Sequence, residues 1–447
     1  MKTFIIFPTQ LFDDTINIID KYDKIIIIEE PHYFCSDEIK PNKIKIAYLR
    51  ASMRYYYDKL RILKDIIYID YKNNINYKKI FKNDELFSYH LNDFKLRNKL
   101  KNNGIYINEI EDSPMFLMKI NDLDIYNKRK TPSHATFYEM VKEKVGLLIG
   151  VKNQDIYNRS NPKSIIKFEH YISNIDDDNY YKEAINYTKK SQFKNNIGSI
   201  PTLDILKYYP ISSKSSYNYF NYFLDNNLKN FGLFQDVIQD NNPFIYHSII
   251  SPMLNIGIIT PNNLLYILKE YKDKVSLNTF EGYVRQLIGW REYMRYLYLY
   301  KYDELIKSNT FNNSKILDKS WYNGTTGISI IDNEINKSLK YGYSHHIVRL
   351  MIYLNFMILN EIRPEDIYKW FMEVVCIDAY DWVMIPNIYS MGYFSKIGMR
   401  RPYLSSSNYI IRMSNYKKDG KWDIIWNNKF REFVKSRKIY FYLRSIK

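Results

Sequence analysis

Glycine is scarce in this chain, at 14 of 447 residues, about 3% where ~7% is usual. A phosphate cradle built from glycines is therefore not expected, and neither G-x-G-x-x-G nor G-x-x-x-x-G-K-[ST] occurs. Cysteine is scarcer still. Cys35 and Cys376 can form neither a disulfide framework nor a four-cysteine metal site, which fits a reducing compartment. The seven histidines are scattered apart from His345-His346, and no H-x-x-x-H spacing exists, which excludes a zinc hydrolase of that kind. No stretch reaches the ~18 apolar residues of a membrane span. The apolar run after Met1-Lys2-Thr3 is too short for a signal peptide. The expectation is a soluble, intracellular monomer with no membrane partner.

Positive charge and aromatic rings are plentiful. Lys and Arg number 65 against 49 Asp and Glu, a net charge of +16, and 46% hydrophobic with 26% charged residues is a globular balance. Division by ~150 residues per domain gives about three domains, and two larger ones fit equally well. The basic excess points to a polyanionic partner, although heavy use of Asn, Ile, Lys and Tyr also fits a base-biased genome. The 45 tyrosines suit base stacking beside cations and suit a bulky helical core as well.

The first ~130 residues read as α/β. Residues 3–7, 24–28, 43–48 and 66–69 are strand candidates, with a helical segment at 51–63. Alternation of this kind implies a parallel sheet with helical crossovers, whose ligands sit beyond the carboxyl ends of the strands. That rule points at Thr9-Gln10 and Glu29-Glu30. The pattern changes after Asp112-Ser113-Pro114, and Thr131-Pro132 and residues 153–163 read as connecting segments. From about Ser199 the apolar spacing is helical, in blocks at 263–271, 280–300, 331–341, 347–359 and 364–375. Loops are expected at 241–243, 323–326 and 386–402. The division is thus an α/β domain over 1–132, a connecting segment over 133–198, and a mainly α domain over 199–447.

Three blocks carry the chemistry. The first is Trp321-Tyr322-Asn323-Gly324-Thr325-Thr326-Gly327, then Asp332, then Gly342-Tyr343-Ser344-His345-His346 and Arg349. The second is His247-Ser248-Ile249-Ile250-Ser251-Pro252 with Gly257 and Pro261. The third is Gly289-Trp290-Arg291-Glu292-Tyr293. In chain order, from His247 through Gly289 to Trp321, they resemble the flavin-binding core of the photolyase/cryptochrome family. Arg50 to Tyr56, Glu29-Glu30-Pro31, Ser113 to Phe116, His134 to Tyr138, Tyr380 to Asn387 and Asn408 to Asn415 are similar to its prokaryotic photolyase-related branch. That branch includes (6-4) photolyases with an iron–sulfur cluster on four cysteines. Residues 415–426, where those cysteines would fall, contain none, so no cluster is expected here.

The resemblance implies FAD as cofactor and a second, antenna chromophore of unknown identity, assigned to Gln10 and Glu30. Ser248 and Ser251 would offer hydroxyls to the pyrophosphate, and Thr326 and Gly327 a second donor loop. Gln286, Trp290 and Met384 would stand around the flavin, with Met384 near its N5. Arg349 and Asp378 would pair beside the isoalloxazine ring and tune it electrostatically. His346, in the block with His345, occupies the position of the proton donor in (6-4) photolyases. Trp370, Tyr380 and either Trp321 or Tyr322 would carry electrons to the flavin, or fill the core. Lys396, Arg400, Arg401 and Arg412, with residues 405–408 among them, would bind the phosphates of UV-damaged DNA. The implied activity is light-driven repair of a (6-4) photoproduct. A cyclobutane-dimer photolyase or a non-repairing cryptochrome are the alternatives.

Overall fold

The computed structural model describes residues 1–110, 113–129, 133–159, 170–172 and 174–437. Asp112, the connecting segment at Thr131-Pro132 and residues 160–163 lie outside the described residues. Five strands, β1 (Lys2–Ile6), β2 (Lys24–Ile28), β3 (Ile66–Ile69), β4 (Glu85–Tyr89) and β5 (Ile107–Ile110), form one sheet in the order β3-β2-β1-β4-β5. Every pairing is parallel, with Thr3 opposite Lys24 and Leu86 opposite Ile107 setting the register. β1 and β2 are almost wholly apolar and buried, because a parallel sheet has helices on both faces and no solvent side to alternate toward.

One strand expectation is corrected. Residues 43–48 open the long helix α1 (Lys43–Leu60) instead. The Asn42 side chain accepts the Ile44 N–H at 3.1 Å, an N-cap that commits the chain to helix. The Lys-Ile-Lys-Ile alternation does not mark a half-exposed strand, since Ile44 to Met53 are buried on all sides. Arg50, in α1, ties this half together. It pairs with Glu29 at 2.7 Å, with Glu183 of α2 (Asp178–Tyr187) at 2.8 Å, and with Asp70. Burial opposes the Arg50 charge, but Glu183 and Glu29 outweigh it and raise its pKa.

The carboxyl half is helical and its core aromatic. The elements that matter for the site are α3 (Ser251–Ile256), α4 (Leu277–Val284), α5 (Arg291–Ile306), α6 (Ser329–Tyr341), α7 (Pro364–Glu373), α8 (Asp381–Pro386) and α9 (Trp422–Arg437). Three π-helical turns interrupt this regularity. Arg285–Trp290 joins α4 to α5, Arg349–Leu354 lies within the helical stretch from His346 to Leu359, and Asn387–Met391 continues α8. Residues 386–391 are therefore helical where a loop was expected, and the irregular chain begins only at Gly392.

Two contacts lock the helices in place. A Cβ on Gly289 would fall 2.9 Å from the Tyr138 ring, so only glycine lets the helix His134–Val145 approach that turn. Trp422 and Trp426 pack in the segment where the iron–sulfur ligands would fall. The Trp426 ring lies 4.5 Å from Phe356, and its Nε1 donates to the Ser405 carbonyl at 3.0 Å. Cys35 and Cys376 are both buried free thiols.

Candidate functional site

The three π-helical turns converge on one cavity of about 730 Å3, which is lined by Gln286, Trp290, Arg349, Leu350, Asn387 and Met391 among others. That volume is within the range of small-molecule sites. A π turn widens the helix and shifts the side chains that follow, and such turns concentrate at functional sites. Here they aim polar groups from three helices at one point.

The loop before α3 forms one wall. Ile245 and Ile249 hold φ of +47° and +51°, a left-handed conformation that β-branched residues avoid, at about 1–3 kcal/mol each. This strained backbone presents Ser248 and Ser251, both on the cavity lining. The Ser251 hydroxyl donates to Asp378 Oδ2 at 2.6 Å. Asp378 Oδ1 accepts from Arg349 Nη2 at 2.9 Å, and Arg349 Nε donates to the Ser344 carbonyl at 2.6 Å. Asn255 Nδ2 donates to the Asp378 carbonyl at 2.9 Å. The guanidinium is thus fixed from two directions with its carboxylate fully committed. Across the cavity, Trp290 Nε1 donates to Asn387 Oδ1 at 3.1 Å, and Met384 stands on the same wall.

His346 is at the mouth. Its side chain is 50% exposed, and Nε2 lies 3.4 Å from Asp236 Oδ1. Burial alone would raise the Asp236 pKa, but contacts with His346 and Arg159 outweigh it and hold the carboxyl below its ordinary range. Arg159 Nε reaches Asp236 Oδ2 at 2.5 Å. Behind His346, the ring of His345 stacks on His247 at 4.5 Å. His345 is buried, does not line the cavity, and is driven well below the ordinary histidine pKa by burial and by His247. His247 is pushed down to about 4 by burial and then by His346. Both of its ring nitrogens face carbonyls, at 3.0 and 3.2 Å.

The other expected residues are placed unevenly. Ser248, Ser251, Gln286, Trp290, Arg349, Asp378, Met384, His346 and Arg401 line the cavity. Thr326 and Gly327 do not. Their N–H groups donate to Asp332, in the first turn of α6, at 2.7 and 3.0 Å, so the donors of this loop are already taken. Trp370 is buried one layer back, 5.1 Å from Phe371 on the cavity wall and 5.8 Å from Trp321. Its Nε1 donates to the Trp321 carbonyl at 2.7 Å. Tyr380 is remote from the lining, with Lys45 Nζ 4.2 Å over its ring.

Lys396, Arg400 and Arg412 are exposed, and Arg401 is half-buried on the same side as the cavity mouth. Gln10 and Glu30 are fully buried at the ends of β1 and β2. Gln10 accepts from Phe7 and Ser88 and donates to Tyr89, while Glu30 pairs with Lys99 at 2.8 Å and accepts from Tyr77. Asp236, Arg159 and Asn387 were not singled out from the sequence as site residues. Asp236 and Arg159 sit in segments with no motif, and Asn387 fell in an expected loop; only tertiary packing brings them to the cavity.

The chain is similar to known proteins in sequence and in fold. A family model described as deoxyribodipyrimidine photo-lyase-related protein matches residues 4–204. A (6-4) photolyase of Agrobacterium fabrum is 31% identical over 307 residues, 66% of this chain and 59% of that protein, so the chain matches under two thirds of its relative's length. An uncharacterized protein of Acanthamoeba polyphaga mimivirus is 51% identical over 86 residues, 19% of this chain and 69% of that one. Among solved structures, a bacterial class III photolyase from Agrobacterium tumefaciens superposes with a TM-score of 0.61 at 17% identity, over 99% of this chain and 89% of that one. A cryptochrome from Synechocystis gives 0.57 at 14% identity, over 98% and 89%. At these identities the structural likeness is one of fold, and it adds to the sequence matches. Residues 4–204 thus match the photolyase-related family, and the chain as a whole has the fold of photolyases and cryptochromes.

Proposed function

We propose that this protein is a light-driven DNA photolyase that holds FAD in the cavity and acts on a UV pyrimidine photoproduct, the (6-4) product first. The residues present fit the cofactor. The cavity has an apolar floor, hydroxyls on the strained loop, and a fixed guanidinium–carboxylate pair, which is the donor set a flavin dinucleotide needs. FAD, when bound and reduced, supplies light absorption and one-electron chemistry. Arg349 would hold positive charge beside the ring with Asp378 keeping it in place, Ser248 would offer its hydroxyl to the pyrophosphate, and Trp290 and Met384 would exclude water.

His346 carries the choice of substrate. It is half-exposed at the mouth, with Nε2 on Asp236, so Nδ1 is the ring atom left to face a lesion. A carboxylate at one ring nitrogen orients the other toward the mouth, as positioned general acids require. Arg401 and the exposed cations beyond it hold the phosphates of the damaged strand, while the lesion is turned out into the cavity; the handling of a flipped base follows the pattern known for photolyases. Trp321, Trp370 and Phe371 pack in a row behind the cavity wall, a route along which Trp370 would relay electrons toward it.

The deciding experiment is the absorption spectrum of the purified protein, followed by illumination with each lesion in a defined oligonucleotide. Flavin bands and light-dependent (6-4) repair are expected. A colourless protein overturns the reading. Photoreduction without repair of either lesion makes the protein a photoreceptor.

A further inference from the structure

Away from the cavity, His32, Asp93 and Asp381 come together where the sheet meets the helical half. His32 lies in the helical turn Pro31–Phe34 after β2, Asp93 directly precedes the helix Phe94–Asn102 after β4, and Asp381 opens α8. One ligand atom of each lies within 4.8 Å of the others, and His32 Nε2 is 4.0 Å from Asp381 Oδ2. Both carboxylates are 1% exposed. This is the crevice beyond the carboxyl ends of parallel strands, where such sheets take ligands.

Each carboxylate has one oxygen held and one left over. The Tyr33 hydroxyl donates to Asp93 Oδ2 at 2.6 Å, and the Tyr368 hydroxyl to Asp381 Oδ1 at 2.5 Å. Asp93 Oδ1 and Asp381 Oδ2 are buried with no hydrogen-bond partner among the described residues. Donors placed this way orient carboxylates around a metal. Of the nearby ammonium groups, Lys45 donates to the Ala379 carbonyl at 2.5 Å and Lys95 pairs with Glu38 at 3.2 Å, while both also sense the charge of Asp381. Two facing carboxylates out of water repel each other unless a proton or a cation stands between them. His32, with 15% of its side chain exposed, provides the route from solvent.

We propose that His32, Asp93 and Asp381 bind a first-row divalent cation, Zn2+ or Mn2+, which ties the sheet to the helix that forms one wall of the cavity. An imidazole with two carboxylates is a mixed donor set that these ions accept. Bonds of about 2.1 Å place ligand atoms roughly 3.0–3.6 Å apart, so His32, the least buried member, swings inward on binding. The remaining positions go to water. Because α8 carries Trp382 and Met384 of the cavity lining, the cation would also steady that wall.

The test uses the full chain, freed of metal with a chelator and titrated calorimetrically with Zn2+, then with Mn2+. One equivalent should bind and raise the unfolding temperature. His32→Ala and Asp381→Asn should each weaken binding by about tenfold or more. His32→Ala, at a partly buried position in a short helical turn, should keep the circular dichroism of the wild type. If Asp381→Asn does not fold, His32→Ala decides alone. Equal affinity in His32→Ala, or no binding by the wild type, overturns the proposal. No binding by the wild type together with a more stable Asp381→Asn identifies instead a proton shared by the two carboxylates.

Discussion

His346 Nε2 stands 3.4 Å from Asp236 Oδ1, and the far oxygen of Asp236 is held by Arg159 at 2.5 Å. A half-exposed imidazole is thus backed by a carboxylate that is itself anchored. If the histidine gives a proton to a (6-4) product, His346→Asn should abolish that repair, because an amide donates a hydrogen bond but not a proton. Asp236→Asn should lower it by roughly 10²–10⁴ in rate, the usual worth of a positioned acid. Repair of cyclobutane dimers needs no such donor and should survive both changes. Illumination of each lesion followed by product separation distinguishes the cases, and unchanged (6-4) repair in His346→Asn refutes the assignment.

Arg349→Ala or Asp378→Asn should release flavin. Each leaves its partner buried and unpaired, at about 3–5 kcal/mol. The loss should be larger for Asp378→Asn than for Ser251→Ala, since Ser251 supplies only one hydrogen bond to that carboxylate. Flavin content after gel filtration measures the effect. Wild-type content in both variants would remove this pair from the cofactor site.

Arg401→Ala should weaken binding to damaged and undamaged duplexes about equally. The slope of log affinity against log salt should fall by about one phosphate contact. A fluorescence titration at several salt concentrations reports it, and an unaltered slope argues against a DNA-facing Arg401.

Acid should destabilise the fold before its carboxylates titrate. Burial, with Arg285 adding to it, lowers His134 to about 4; burial and then His247 lower His170 to about 3; burial and then His346 lower His247 to about 4. The unfolded chain takes up these protons near pH 6.5 while the folded chain refuses them. The unfolded state therefore binds more protons below that pH, and stability rises with pH across the window. Each histidine should remove up to about 1.4 kcal/mol per pH unit between pH ~6.5 and ~4. Urea midpoints at pH 7, 6 and 5 should fall in step, and a flat series would show that these rings are solvated.

Much of the site was legible because its residues lie in short blocks whose order is informative: Ser248 and Ser251, Trp290, His346 and Arg349. Asp378 was reachable only through the expected pair with Arg349. Asp236 and Arg159 were not legible, since neither sits on an amphipathic period and both reach His346 by tertiary packing. Thr326 and Gly327 show the converse. A loop rich in donors reads as a binding loop, but Asp332, five and six residues on, takes those donors. In the fold, the strands β1 to β3 could be read from β-branched runs, whereas Lys-Ile-Lys-Ile misled because an N-cap and burial on every side overrode alternation.

The three π-helical turns make the chain's length a controlled quantity around the cavity. An α-helix advances about 100° per residue, so each widened turn amounts to one residue inserted into a helix that stays otherwise in phase. Removing a single residue from Arg349–Leu354 would restore a regular turn and rotate Asn355–Leu359 by about 100° relative to Arg349. One-residue deletions at 285–290, 349–354 or 387–391 should therefore be far more damaging than the same deletion in the irregular stretch after Gly392. In related chains, gaps should gather on the latter and avoid the former.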